Sequence, residues 1–238
     1  MNKAKVSERI LMLSESKETF KRCLDSYYQN EIFFGPSVYF HRKVINSIRD
    51  SGDYEKLLDN ELFAEYIYAT LASWGMHRMG PAGSKMRDFR DLRNSILSNK
   101  SSLLELKKFN ITMLNDQNKR IIFPLLRRLF ENIEVMQSES KLVGNSKIIH
   151  HLLPDLVPPI DREYTIRFFY GDLKSKYTPL FFREEESGLF LEITDYFHTI
   201  CDRLQLTEND YDKTKSFNTS IPKVIDNAII GLIHSLKR

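Results

Sequence analysis

Apolar residues recur at three- and four-residue intervals along nearly all of this 238-residue chain, and no alternating run longer than a few residues interrupts them. A helix buries one stripe and a strand one face, so this spacing commits the chain to helices. The expected fold class is all-α. Val6, Ile10, Leu13, Phe20 and Leu24 mark a first long helix. Ser37 is placed to cap a second, carrying Tyr39, Phe40, Val44, Ile45 and Ile48 and ending at Gly52. Asp59 is placed to cap a third, NELFAEYIYATLASWGMH, with Trp74 deeply buried on it. The turn RMGPAGS follows, and Ser84 opens the next helix. Pro124 should kink or restart the helical segment between Leu103 and Gln137, because proline lacks a backbone donor and clashes with the preceding turn. Later helices run from Asp161 to about Tyr170, through LEITDYFHTICDRL, and from a Ser220 cap with Pro222 in the first turn. The stretches KSKYTP and TENDYDKTKSFNTS read as loops.

Residues 1–238 form a single all-α domain on this reading, with room for lobes of about 37–140 and 141–238 plus the N-terminal helix around a cleft. The formal charge of +3 permits a polyanionic partner without demanding one. Cys23 and Cys201 lie singly in apolar helical patterns and read as buried thiols in a reducing compartment. No CxxC pair offers a zinc or iron–sulfur site. His150 and His151 are adjacent on a helix, so they point to different faces, one packed and one exposed, and cannot chelate one ion. No metal and no cofactor is expected. No apolar run is long enough to cross a bilayer, and the N-terminus lacks a signal peptide's apolar core, so the cytoplasm is the default location and no membrane partner is expected. The oligomeric state is left open.

The stretch with most chemistry is GNSKIIHHLLPDLVPPIDREY, from Gly144 to Tyr164. Gly144 and Asn145 read as a turn and Ser146 as the cap of a short helix, KIIHHLL. The free N–H groups of a helix start hold phosphates, and Lys147 would add a full charge. Pro154 and the Pro158–Pro159 pair hold the following connection extended, and Asp161 falls at the next helix start, with Arg162 beside it. Asp161 is thus either an N-cap, contributing about 1 kcal/mol, or a carboxylate exposed for chemistry. Lys147 is either a solvated first-turn lysine or a phosphate contact.

This order of turn, short helix, proline-bearing connection and aspartate resembles the helix-hairpin-helix DNA glycosylase superfamily. LVGNSK stands where the hairpin would lie, and PPID supplies Pro159 and Asp161. The block is also similar to a prokaryotic family of unassigned function that shares a G-x-S-K…HH…P-D…P-P-x-D pattern behind a tryptophan segment like LASWGM. About thirty residues carry the likeness, with a single hairpin glycine, Gly144, and a shorter interval from Lys147 to Asp161 than the glycosylases show. The resemblance implies a DNA partner and a base-excising activity. Asp161 would stabilise an oxocarbenium-like sugar, and Lys147 would contact phosphate or sugar or, as a desolvated neutral amine, attack the sugar carbon as a second catalytic residue. An extruded base needs a pocket with aromatic walls. Trp74 and Tyr164, with His150 and His151, are the candidates, and Phe168 and Phe169 are either part of that wall or core.

A second basic stretch is MHRMGPAGSKMRDFRDLR. It lacks the full phosphate-loop frame and no strand precedes it, which excludes an ATPase. Ser84 and Lys85 remain a possible phosphate-binding helix start, and Arg87, Arg90 and Arg93 form either a phosphate-contacting or a solvated face. The alternative to a DNA enzyme is a helical interaction module without catalysis, in which the whole block is structural. A small-molecule enzyme using the same cleft is the third reading.

Overall fold

The first apolar stretch folds as two helices, α1 (Lys3–Leu13) and α2 (Lys17–Gln29), not one. The Ser16 hydroxyl accepts the Thr19 N–H at 3.1 Å and so opens a new helix where the spacing alone looked continuous. The computed structural model describes residues 3–29, 35–77, 79–80, 83–138, 140–173 and 185–236. The expected loop KSKYTP lies outside them.

Three other helix starts differ from expectation. α3 (Pro36–Asp50) begins after Gly35, whose φ of 62° only glycine takes without strain. Ser37 is inside that helix and donates its hydroxyl to the Ser73 carbonyl. A short α4 (Tyr54–Asp59) precedes α5 (Glu61–Leu71). Asn60 caps α5, its Oδ1 accepting the Leu62 N–H at 3.0 Å, and Asp59 instead ends α4. α5 continues into a π-turn, Ala72–Met76, which Gly75 breaks at a φ of 83°. Trp74 sits on that turn, half-buried instead of deeply buried. Ser84 opens no helix; Gly83–Ser84 pairs with Met79–Gly80 in a two-residue ladder. Asp88 is the cap, accepting the Arg90 N–H at 2.8 Å, and starts α6 (Phe89–Ser98).

α7 (Lys100–Leu106) leads to α8 (Asp116–Asn132), which runs through Pro124 without restarting. The carbonyl that Pro124 leaves unpaired is that of Arg120, an exposed residue, so the loss falls on the solvent side of the helix. Next come α9 (Leu142–Leu152), an extended proline-bearing connection, a π-turn at Arg162–Ile166 and α10 (Arg167–Tyr170). α11 (Glu186–Leu204) and α12 (Ile221–Ser235) complete the chain, α12 opening on Ser220 and Pro222 as its sequence implies. The fold is all-α. Among the described residues, no helix is long and apolar enough to cross a membrane.

Buried apolar side chains from all twelve α-helices join one core cluster. Both cysteines are in it as free thiols. Two helices organise the site. α9 is buried on almost every side, with only Val143 half-exposed. α12 packs along α2 so closely that a Cβ on Gly231 would lie 1.9 Å from the Cys23 carbonyl oxygen.

Candidate active site

The turn expected at Gly144–Asn145 does not exist, because α9 starts earlier and runs through both residues. Gly144 is needed for close packing: a Cβ there would sit 2.5 Å from Met136 Cγ. Asn145 is buried, and its amide donates to the carbonyls of Phe130 and Ile133 at 2.7 and 3.0 Å. It therefore satisfies the carbonyls left over at the end of α8. Ser146 caps nothing. Its buried hydroxyl accepts the Ile160 N–H at 3.2 Å and shares its proton between the Ile160 and Val143 carbonyls at 3.3 and 3.2 Å. These three residues cannot hold phosphate, since none faces solvent.

Ser146 instead helps to place Asp161. The Ser146 clasp grips the residue between Pro159 and Asp161, so the extended connection is pinned at the point where the next helix begins. Ser146→Ala would leave a buried N–H without a partner, and should cost about 1–3 kcal/mol. Urea denaturation of the variant checks this.

Asp161 is the N-cap that its position suggests: Oδ1 accepts the Tyr164 N–H at 2.7 Å. The carboxylate is nevertheless only half-buried and lines a narrow cleft, about 50 Å³ in its enclosed part, that opens to solvent. Its second oxygen has no hydrogen-bond partner among the described residues. Lys147 lines the same cleft from α9, with its ammonium 5.7 Å from the Trp74 ring centre. The two residues that sequence singled out for chemistry thus share one site with the tryptophan.

The opposite wall comes from α12 and the loop before it, which sequence reasoning did not single out. Lys223 is buried in the first turn of α12, and its ammonium donates to Asp226 Oδ2 at 2.7 Å and Asn227 Oδ1 at 2.6 Å. It also lies 5.2 Å from the Phe217 ring centre and 5.8 Å from that of Trp74. Asn227 donates in turn to the Phe217 carbonyl, which fixes the amide with its oxygen toward Lys223. Tyr27 of α2 closes the aromatic wall. Burial pushes the Asp226 carboxyl up, the Lys223 ammonium opposes this, and the Asp161 charge adds to the rise. A signal was present in PKVIDN: lysine, aspartate and asparagine at three- and four-residue spacing share one helix face.

Behind Trp74 lies a cluster of three buried histidines. The expectation of one packed and one exposed histidine fails, because His150 and His151 are both fully buried, together with His41. They do not line the cleft; they support it. His151 Nδ1 donates to the Lys147 carbonyl at 2.7 Å, so its Nε2 accepts from His41 Nδ1 at 3.0 Å. His41 Nε2 then accepts from the Thr219 hydroxyl at 2.9 Å. His150 Nδ1 donates to the Val157 carbonyl at 2.7 Å. Neutral rings satisfy this chain of roles with one donor and one acceptor at each bond. Burial, then their mutual repulsion, holds His41 and His150 well below the ordinary histidine value, and burial brings His151 down to about 4. His41 stacks on Trp74 at 5.4 Å, and the indole N–H donates to the Ser37 carbonyl at 3.3 Å. The tryptophan plane is thereby fixed.

The remaining candidates lie elsewhere. Tyr164 is buried against α12, with its hydroxyl 3.3 Å from His234 Nε2, and Phe168 and Phe169 are wholly core. Ser84 is in the two-residue ladder, and Lys85 is exposed beside it, its carbonyl accepting the Gln137 N–H. Neither marks a helix start. Arg87 pairs with Glu134 and Arg93 with Glu61, as on a solvated face. Arg162 alone of the proposed phosphate contacts is exposed beside the cleft residue Asp161. Among the described residues, no group of three or more metal-ligating side chains is placed to hold an ion. Comparison of the chain with protein-family models, curated proteins and solved structures finds no match.

Proposed function

We propose that this chain is a DNA-binding enzyme of the N-glycosylase type, which takes an extruded nucleotide into the Trp74 cleft and breaks its glycosidic bond. One observation carries the reading: Lys147 and Asp161 line the same aromatic-walled cleft. When the bond from the sugar C1′ to the base nitrogen breaks, its electron pair leaves with the base and positive charge develops on the sugar. A carboxylate held in place before the reaction stabilises that charge without reorganising. The Lys147 and Lys223 ammonium groups line the same cleft and would meet negative charge on the leaving base. Water then bonds to C1′, and its proton ends on the base. Trp74, Tyr27 and Phe217 supply the flat surfaces on which a base stacks. Arg162 remains as a phosphate contact outside the cleft; Gly144, Asn145 and Ser146 do not.

An interaction module would need Asp161 only as a cap, and a substitution separates the two roles. Asparagine caps nearly as well as aspartate but brings no negative charge. Asp161→Asn should keep the thermal midpoint while lowering base excision by about 100-fold or more. A panel of duplexes carrying damaged or mismatched bases provides the assay. Excision of no base by the wild type, or full activity in Asp161→Asn, would overturn the proposal.

A further inference from the structure

Asp226 is 4% exposed and lines the cleft, yet only one of its oxygens is used. Oδ2 accepts the Lys223 ammonium at 2.7 Å, whereas Oδ1 is buried without a hydrogen-bond partner. A bare carboxylate oxygen in a protein interior is costly, and an orphan of this kind on a cleft wall calls for a donor. Neither Lys223 nor Asn227, the two donors beside it on α12, can turn to provide one. Lys223 is held by Asp226 and Asn227 together, and Asn227 is locked by its bond to the Phe217 carbonyl. A ligand seated in the cleft can bring the missing donor.

The charges of the cleft narrow its chemistry. Lys147 and Lys223 are balanced by Asp161 and Asp226, so a free phosphate or carboxylate would meet two carboxylates as well as two ammonium groups. A neutral ring meets no such conflict, and the aromatic walls favour a flat one. We propose that Asp226 Oδ1 accepts a hydrogen bond from an N–H on the edge of the bound base, restricting the site to heteroaromatic rings with an exocyclic amine or an imide. This assignment rests on the nucleotide reading above and names its selectivity.

Trp74 is the only tryptophan in the chain, so its fluorescence reports the cleft directly. The wild-type protein is titrated with two pairs of nucleosides. One pair is 2′-deoxyadenosine and purine 2′-deoxyriboside, which lacks the amine; the other is thymidine and 3-methylthymidine, which lacks the imide N–H. At least one donor-bearing nucleoside should quench Trp74 with a Kd about tenfold or more below that of its partner, the effect of one charged hydrogen bond. In Asp226→Asn the Lys223 ammonium draws the amide oxygen, so an NH₂ takes the place of Oδ1 and the preference should vanish or reverse. Equal binding within both pairs, or a preference kept by Asp226→Asn, overturns the inference. So does the absence of quenching by all four nucleosides. If Asp226→Asn does not fold, the wild-type pairs decide alone. The excision assay on duplexes is independent, so the selectivity can fail while the glycosylase reading stands.

Discussion

Gly231→Ala is expected to destabilise the protein by about 3 kcal/mol or more, although glycine-to-alanine changes inside helices normally stabilise. The added Cβ would lie 1.9 Å from the Cys23 carbonyl oxygen and 2.7 Å from the Tyr27 nitrogen. Both are backbone atoms, so no side-chain rotation relieves the overlap, and α2 must move away from α12. Tyr27 and Asp226 would separate with them, opening the cleft. Gly52→Ala is the control, because nothing lies within 4 Å of its Cβ position; it should change stability by less than about 0.5 kcal/mol. Urea midpoints of the two variants check the contrast. An unchanged or raised midpoint in Gly231→Ala would mean that the two helices do not cross in backbone contact.

The second large effect is acid lability well above the carboxylate range. His41, His150 and His151 are neutral in the fold, with values below the ordinary 6.5 and about 4 for His151. In the unfolded chain each returns to its ordinary value and takes up a proton below it. The unfolded state then binds more protons than the native one, so stability falls as pH drops below 6.5 and is fully present above it. Three such groups give a slope approaching about 4 kcal/mol per pH unit well below 6.5 and above their folded values. Denaturant unfolding between pH 7 and pH 5 measures it, before most carboxylates protonate. A stability that is flat across that interval would show that the histidines already carry protons in the fold.

The fold was legible because helical spacing survives every detail of capping. What sequence misplaced were the helix starts, for a common physical reason. Serine, aspartate and asparagine bond equally well to a helix start, a neighbouring carbonyl or a distant loop. Ser37, Ser84 and Ser146 each look like caps, yet Asn60, Asp88 and Lys141 occupy three of the observed N-cap positions. Ser146 shows the consequence for function. Read as a cap it implied a phosphate site, whereas in the fold it holds the Ile160 backbone and so sets Asp161. Lys147 and Asp161 stood out because they flank a proline-stiffened connection, and Trp74 because an extruded base needs an aromatic wall, although an N-cap and a solvated lysine explained the first two equally well. Lys223, Asp226 and Asn227 were not, because charged residues at helical spacing usually mark a solvated face. Only the packing of α12 against α2 reveals that this face is buried.

On the proposed function, the Trp74 cleft receives a nucleotide whose sugar becomes cationic beside Asp161. The most direct measurement is binding of two abasic duplexes, one with a neutral tetrahydrofuran and one with a cationic pyrrolidine at the abasic position, followed by Trp74 fluorescence. Transition-state mimics bind at least about 100-fold tighter than ground-state ones when the complementary charge is in place. The wild type should therefore bind the pyrrolidine duplex far more tightly than the tetrahydrofuran duplex, with a change in Trp74 emission, and Asp161→Asn should bind the two alike. Equal affinity of the wild-type protein for both duplexes, or a pyrrolidine preference undiminished in Asp161→Asn, would rule out a charge-stabilising role for Asp161 in this cleft.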